Sequence, residues 1–412
     1  MQPPANGSIL WQFCEGKFSR CGGGNGNWWS PTFAMTRNGT LVVAALGKAQ
    51  TNPKGQRSSP TFVDLRRSSD RGVSFGPSMP LLDGASCTPA VGCGSNVDST
   101  VFNGGTLAHC TATDTLHLVF AVGSPSGNLS IISSTDAGGS WSAARAVTNS
   151  QGERWVTSGQ VNRGLELQHG PHAGRLVFPR EQFLGAAGSK VGVVFSDTHG
   201  ETFEAGGDML PPFRQGESAV AEVRVAAQLR PSPCHDHRCC RQLGNGSLII
   251  TARNAASKSK PSGDCVGDDI CRVFARSDNA GRSWGAQWHV PLSELPSHRC
   301  EAAMVSVQLP GHPIGALLFG APMNATTRAD YTIYYSLDGG RAWARGAAVY
   351  GGQAGYSSLV VLGGASQASA SGSWSVEVGV AFQLGHGIHG VEGGGYDMAF
   401  ARRTVHIHPS SK

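Results

Sequence analysis

The sequence predicts an all-β fold, a six-bladed β-propeller of small antiparallel sheets closed by tight hairpins. Three observations predict it: a turn motif that occurs five times, the near-regular spacing of its copies, and a composition rich in glycine but poor in charge. Glycine supplies 57 of 412 residues, roughly double the usual ~7%. Charged residues are 15% against a usual ~25%. Long charged helices and coiled coils are excluded by that balance. The 22 prolines sit near the average and argue against disorder, and the 40% apolar residues can build a large core.

The motif reads S-x-D-x-G-x-S/T-W/F. Its copies are Ser68-Ser-Asp70-Arg-Gly72-Val-Ser74-Phe75, Ser134-Thr-Asp136-Ala-Gly138-Gly-Ser140-Trp141, a worn Ser196-Asp-Thr198-His-Gly200-Glu-Thr202-Phe203, Ser277-Asp-Asn279-Ala-Gly281-Arg-Ser283-Trp284 and Ser336-Leu-Asp338-Gly-Gly340-Arg-Ala342-Trp343. Each follows a short strand-like run: Phe62–Leu65, Leu129–Ile132, Val191–Phe195, Val273–Ala275 and Tyr331–Tyr335. An Asp or Asn side chain accepts backbone N–H groups two residues on, and glycine supplies the positive φ of the turn. The aromatic residue then anchors the next strand. Asp70, Asp136, Thr198, Asn279 and Asp338 are therefore structural.

Those positions lie 66, 62, 81 and 59 residues apart. A period of ~60 with strand signals throughout means propeller blades. Five marked blades, plus one closed from the two chain ends, make six. The long gap holds the segment 224–240 (RVAAQLRPSPCHDHRCC), and removing its 17 residues returns the gap to 64. Cys234, His235, His237, Cys239 and Cys240 there fit no tetrahedral zinc spacing. Loop disulfides explain the cysteines equally well, and no metal or other cofactor is expected. The resulting domain reading is an N-terminal extension over 1–27, a propeller over 28–405 with a Cys-rich insertion at 224–240, and a tail over 406–412.

A net charge of +5, evenly scattered, excludes nucleic acid as a partner and is compatible with an anionic substrate. The longest apolar stretches, such as Leu116–Val122, fall far short of the ~18 residues of a membrane span. Eleven cysteines, with close pairs Cys14/Cys21, Cys87/Cys93 and Cys265/Cys271, and five sequons at Asn6, Asn38, Asn128, Asn245 and Asn324, lean toward a lysosomal, lumenal or extracellular compartment. The opening residues, MQPPANGS, carry no signal-peptide pattern.

The repeat resembles the Asp boxes of the sialidases, or exo-α-neuraminidases, over about Trp28 to Ala401, and the lysosomal-type and bacterial enzymes are closest in flavour. The segments between boxes carry the resemblance further. Ser30-Pro-Thr-Phe with Arg37-Asn-Gly-Thr-Leu-Val-Val-Ala and Asp64-Leu-Arg-Arg-Ser is similar to the family's first blade, and Gly164-Leu-Glu-Leu with Gly174-Arg-Leu-Val-Phe-Pro to its third. Gly216-Glu-Ser-Ala-Val-Ala-Glu-Val resembles a Glu-containing motif and Leu243 to Asn254 an Arg-bearing strand. Arg328-Ala-Asp-Tyr-Thr-Ile resembles the strand of another site arginine, and Gly355-Tyr-Ser-Ser-Leu the tyrosine motif.

The resemblance implies a retaining glycoside hydrolase that releases terminal sialic acid from a sialylated glycan. Tyr356 is then the nucleophile and Glu217 its base, while Arg253 and Arg328 hold the sugar carboxylate. A neutral tyrosine suits a substrate whose own carboxylate sits on the anomeric carbon, because it avoids repulsion there. Arginine binds that carboxylate through planar bidentate contacts that lysine cannot reproduce. Counting back from Leu243 offers His237 in place of Glu217.

Departures cluster in the first blade. Trp29-Ser30-Pro31 stands where the family has Arg-Ile-Pro, and Leu46-Gly47-Lys48 stands for Glu-x-Arg. No acidic residue occurs over Ala49–Val63, where the acid/base aspartate belongs; Asn52 is the nearest isostere, with Gln50 and Gln56 beside it. Gln383 represents the glutamate that braces the missing arginine. The expectation is a sialidase-like hydrolase with an incomplete first-blade half-site. The alternatives are a catalytically weak or inactive lectin for sialic or other acidic sugars, and a purely structural propeller.

Overall fold

Most strands of this chain carry apolar residues on both faces, so each sheet must be covered on both sides. The computed structural model describes residues 6–12, 26–49, 61–82, 102–122, 127–153, 156–157, 162–183, 189–209, 215–223, 246–254, 272–297, 300–367, 372–385 and 396–409. In chain order, β1 (Gly7–Trp11) precedes a four-stranded sheet of β2 (Gly26–Met35), β3 (Leu41–Ala49), β4 (Thr61–Ser68) and β5 (Met79–Leu82). A second sheet joins β6 (Phe102–Cys110), β7 (Thr115–Val122) and β8 (Gly127–Ser134) with the short β9 (Arg145–Ala146) and β10 (Val156–Thr157). A third holds β11 (Leu165–Glu166), β12 (Leu176–Phe183), β13 (Ser189–Ser196) and β14 (Glu204–Asp208). A fourth holds β15 (Gln215–Val223), β16 (Ser247–Asn254), β17 (Arg272–Ser277) and β18 (Trp288–Val290). The remaining strands are β19 (Ala303–Val307), β20 (Ala316–Pro322), β21 (Ala329–Ser336), β22 (Ala344–Val361), β23 (Ser366–Gln367), β24 (Trp374–Gly385) and β25 (Tyr396–Ile407). With β1 they form one eight-stranded sheet, in which the first part of β22 pairs with β21 and the second part with β24.

Alternation of period two fills the spaces between sheets. Val42, Ala44 and Leu46 of β3 pack with Leu116, Leu118 and Phe120 of β7. Leu41, Val43 and Ala45, on the other face, pack with Val360, Ala381 and Phe400. In the fourth sheet Leu248, Ile250 and Ala252 meet Val193 and Phe195, while Ile249 meets Leu317 and Phe319. The result is an all-β, propeller-like arrangement of small sheets. Among the described residues there is no α-helix, and so no helix long and apolar enough to cross a membrane.

Strands extend past two boundaries of the sequence reading. Residues 7–11, placed in an N-terminal extension, form β1 and pair antiparallel with β25, Gly7 opposite Ala401. No turn motif marks that strand, which is why it went unread; its partner lies at the far end of the chain. β25 likewise runs to Ile407, two residues into the stretch read as a tail. The insertion 224–240, with its cysteines and His237, lies outside the described residues, as does Asn52.

The five motif turns share one geometry. The first serine hydroxyl accepts the N–H of the motif glycine: Gly72 on Ser68 at 2.7 Å, Gly138 on Ser134 at 2.8 Å, Gly200 on Ser196 at 2.9 Å, Gly281 on Ser277 at 2.9 Å, Gly340 on Ser336 at 2.8 Å. The third residue accepts an N–H four positions on, as in Ser140 on Asp136 at 2.8 Å and Ser283 on Asn279 at 2.9 Å. Thr198 does the same with its hydroxyl, taking Thr202 at 2.8 Å. Two consecutive residues take positive φ, for example Ala137 at 56° and Gly138 at 82°. Only the second is consistently glycine. The aromatic residue reaches the neighbouring sheet: Trp284 donates to the Gly207 carbonyl at 2.7 Å, Phe75 packs edge-on against Phe400, and Trp343 packs against Phe274.

Strands alternate in direction, so these turns, which follow β4, β8, β13, β17 and β21, lie at the end opposite the start of β2, β6, β15 and β19. Side chains at the starts of those strands are therefore gathered at the other end.

The turn aspartates give the first prediction. Hydrogen bonds from Ser140 and Ser134 depress the Asp136 carboxyl to about 2. A depressed carboxylate contributes stability above its unfolded value of 3.8, and that contribution is lost as pH falls through about 2. Asp136→Ala should cost about 1 kcal/mol, since the site is exposed and screened. Asp136→Asn should cost less, because Asn279 makes the same contacts in the fourth copy. Denaturant midpoints of both variants check this; equal losses would refute the assigned geometry.

Candidate active site

At the end opposite the motif turns, the strand ladders break at the residues the sequence singled out. Gly216 pairs with Arg253 and Ser218 with Ala252, so Glu217 is an extra, bulged residue of β15. Ala354 pairs with Leu384 and Ser357 with Phe382, which puts Gly355 and Tyr356 of β22 opposite Gln383 alone. In β2 the register shifts between Trp29 and Thr32, and Ser30 there takes φ 38°. A bulge turns side chains away from the alternation of the strand. Here it aims Glu217 and Tyr356 at each other.

Tyr356 donates its phenol proton to Oε1 of Glu217, 139 positions earlier in the chain. Nη1 of Arg253 donates to both oxygens of the same carboxylate, at 3.0 and 2.8 Å. The Nε of Arg253 is buried and meets no acceptor among the described residues. The Arg328 guanidinium stands 5.5 Å from the centre of the Tyr356 ring, and its carbonyl accepts the N–H of Ala354 at 2.9 Å, which ties it to β22. All four predicted residues thus meet at one point.

Burial drives the Tyr356 phenol well above its ordinary value, and the Glu217 charge adds to this; Arg253 and Arg328 oppose it. Burial works against charge on Arg253, yet Glu217 and Tyr356 outweigh it and hold the guanidinium positive. Arg328 is held positive as well, against the same cost of burial. An anion reaching this point meets two fixed positive charges.

Gln383 and Trp29 complete the surroundings. Gln383 is fully buried, accepts the bulged Tyr356 N–H on Oε1 at 2.9 Å, and donates from Nε2 to the Trp28 carbonyl at 2.7 Å. A Cβ on Gly355 would collide with that Oε1. Trp29 packs edge-on against Tyr356, with centroids 5.2 Å apart, and against Tyr396 at 6.3 Å. An indole therefore lies against the tyrosine from the position at which the sequence departs from its resemblance.

Three acid groups and one arginine were missed by sequence reasoning. Burial and the Glu217 charge push the Glu181 carboxyl, on β12, up to about 7. Glu301, just before β19, is fully buried, accepts from Ser30 Oγ at 3.4 Å, and is driven well above the carboxylate range by burial. Beside it the buried Cys300 thiol is raised to about 11, again by burial. Arg272 donates to the Cys300 carbonyl at 2.7 Å, and burial lowers it to about 10. Only Glu181 had a signal, since it closely follows the Gly174-Arg-Leu-Val-Phe-Pro segment.

Comparison with known proteins places the fold. The pattern that defines the BNR repeat-like domain matches residues 55–367. The chain belongs to that family. Its resemblance to the sialidases holds as well. A sialidase of Micromonospora viridifaciens is 26% identical over 365 residues, covering 82% of this chain and 48% of that protein. The chain thus spans about half the length of that relative. An intramolecular trans-sialidase from Ruminococcus gnavus shares the fold with a TM-score of 0.63 at 14% identity, over 98% of each chain. A Hadza microbial sialidase does so with a TM-score of 0.62 at 18% identity, over 91% of this chain and 65% of that one.

For this BNR repeat-like chain the tyrosine bulge predicts a coupling. Gly355→Ala should cost about 1–3 kcal/mol, the range for forcing atoms into a filled space. Gln383→Ala should cost a similar amount by leaving the Tyr356 N–H and the Trp28 carbonyl unpaired. The double variant should lose less than the sum, because the shortened side chain frees the space. Additive losses in a double-mutant cycle would place the two residues apart.

Proposed function

We propose that this protein is an exo-α-sialidase-like glycoside hydrolase acting on terminal sialic acid of a sialylated glycan, with retention through a tyrosyl intermediate. The observation that carries the reading is the hydrogen bond from Tyr356 to Glu217, flanked by Arg253 and Arg328. Glu217 takes the phenol proton, and the phenolate oxygen attacks the anomeric carbon as the glycosidic bond breaks. The aglycone leaves as its anion. Water then attacks the same carbon as the bond to the Tyr356 oxygen breaks, and Glu217 returns its proton to Tyr356. The water's proton neutralises the departed aglycone. Arg253, with Nη1 spent on Glu217, offers its remaining donors to the sugar carboxylate, and Arg328 joins it. As the tyrosine gains negative charge both guanidiniums stabilise it, and the buried setting strengthens that effect.

The same reading takes the eight-stranded sheet as two blades that share β22, making six, with β1 closing the last. The propeller then spans about 7–407.

A lectin reading has one observation in its favour: Trp29, an aromatic residue, in place of a third arginine. A 3-fluorosialosyl fluoride probe separates the two. The hydrolase reading expects a covalent adduct on the peptide with Gly355–Leu359, absent in Tyr356→Phe. Unchanged intact mass with binding shown separately would establish the lectin. Arg253→Ala or Arg328→Ala should weaken capture of the sialate by about 1.5–3 kcal/mol, the worth of a charge-assisted contact. If both variants bind like the parent, the carboxylate clamp is elsewhere.

The leaving group gives a further prediction. A general acid contributes about 10²–10⁴-fold, and the stretch around Asn52 offers amides where the acid belongs. A phenolic aglycone departs as its anion without help, whereas a sugar alcohol does not. Aryl sialosides should therefore be cleaved at a useful rate and sialyl-lactose at a rate lower by about that factor. Asn52→Asp should recover part of the difference, with Gln50→Asp and Gln56→Asp tested alongside. Efficient cleavage of sialyl-lactose by the parent would mean that another group donates the proton.

A further inference from the structure

Glu181 stands beside the tyrosine–glutamate pair, and the chemistry proposed above makes no use of it. Its carboxyl accepts the backbone N–H of Glu217, the bulged residue of β15. Its Oε1 rests against the β15 backbone, 3.5 Å from where a Cβ of Gly216 would stand. It thus does for Glu217 what Gln383 does for Tyr356, whose bulged N–H goes to the Gln383 amide oxygen at 2.9 Å. The difference is that an amide never ionises and a carboxyl does.

The groups that face Glu181 define what its ionisation would do. From β15 comes the Glu217 carboxylate, from β16 the Arg253 guanidinium, and from β13 the Ser189 hydroxyl, which hydrogen-bonds to it. Glu301, ahead of β19, lies within range of its charge. The nearby cations Arg180 and Lys190 are turned to Asp208, at 2.6 and 3.8 Å. Arg253 therefore stands against both carboxyls.

Resting on the reading of a tyrosine nucleophile and an arginine clamp, we propose that Glu181 is a positioning residue. It fixes the bulge that aims Glu217 at Tyr356, and its ionisation places a second negative charge beside Arg253 that weakens capture of an anionic sugar. Burial and the Glu217 charge set that ionisation near about 7. Below this pH the carboxyl is neutral and Arg253 answers to Glu217 alone. Above it the extra charge repels the incoming carboxylate. The substrate's own carboxylate is what feels this, so the effect falls on KM more than on kcat.

The test compares the parent, Glu181→Gln and Glu181→Ala with an aryl sialoside across that pH, alongside a carbon-13 titration of the glutamate carboxyls. In the parent KM should rise about tenfold as pH passes through about 7, as expected for a unit charge ~10 Å away in a dielectric near ~20. Glu181→Gln keeps an acceptor for the Glu217 N–H and should hold KM flat. Glu181→Ala loses the acceptor and should lower kcat. A rise in KM that persists in Glu181→Gln overturns the proposal. So does a Glu181 carboxyl that titrates near its ordinary 4.5. Absence of turnover at every pH would sink the hydrolase reading instead. The titration, which needs no substrate, then decides: a carboxyl near about 7 that vanishes in Glu181→Gln supports the proposal.

Discussion

The site depends on a conflict between strand pairing and side-chain direction. A regular strand sends successive side chains to opposite faces, and in these sheets both faces are needed for the apolar packing between neighbours. Glu217 and Tyr356 face each other because the alternation is broken, while Arg253 and Glu181 hold ordinary register positions. The breaks fall at Glu217, at Tyr356 and between Trp29 and Thr32. Each bulge frees a backbone group in a buried place, and an unpaired buried N–H costs about 1–3 kcal/mol. Glu181 and Gln383 supply the missing acceptors. These two side chains are as much a part of the site as the residues they hold.

Charge then decides what the assembled residues can do. Two guanidiniums and one carboxylate surround a phenol in a buried setting, where desolvation alone would keep the phenol protonated. Glu217 favours removal of the proton only because it accepts it directly; its negative charge otherwise opposes a phenolate. Arg253 resolves the opposition by pairing with Glu217 in the resting state and facing the tyrosine as well. Removal of Arg253 would leave the Glu217 carboxylate without its ion-pair partner in a buried setting.

Legibility in the sequence followed the range of the interactions. The motif turns were legible because the hydrogen bonds that close them span two to four residues. Blade spacing followed from their positions, and the strands Val191–Phe195 and Tyr331–Tyr335 lie within β13 and β21. Tyr356 and Glu217 were legible only through resemblance, since 139 positions separate them and no local pattern joins them. The bulges were invisible, because a bulge is a relation of register between two strands rather than a property of one. Cys300 and Glu301 were missed because no local pattern joins them to the site, and Glu181 carried only its nearness to the Gly174-Arg-Leu-Val-Phe-Pro segment. β1 was missed because its partner is the last strand of the chain.

The first-blade departures form one physical unit. Trp29 lies against Tyr356 where a third guanidinium belongs by resemblance, and Gln383 is neutral where a glutamate would brace it. A fully buried carboxylate at Gln383 with no cation opposite would cost several kcal/mol. It would also repel Glu217 and resist the phenolate. An amide at that position avoids the cost, and it gives the Tyr356 N–H an acceptor and the Trp28 carbonyl a donor at once. Loss of the arginine and loss of its brace are therefore a single substitution in electrostatic terms. The half of the site that holds Tyr356, Glu217, Arg253 and Arg328 needs neither group to keep its geometry.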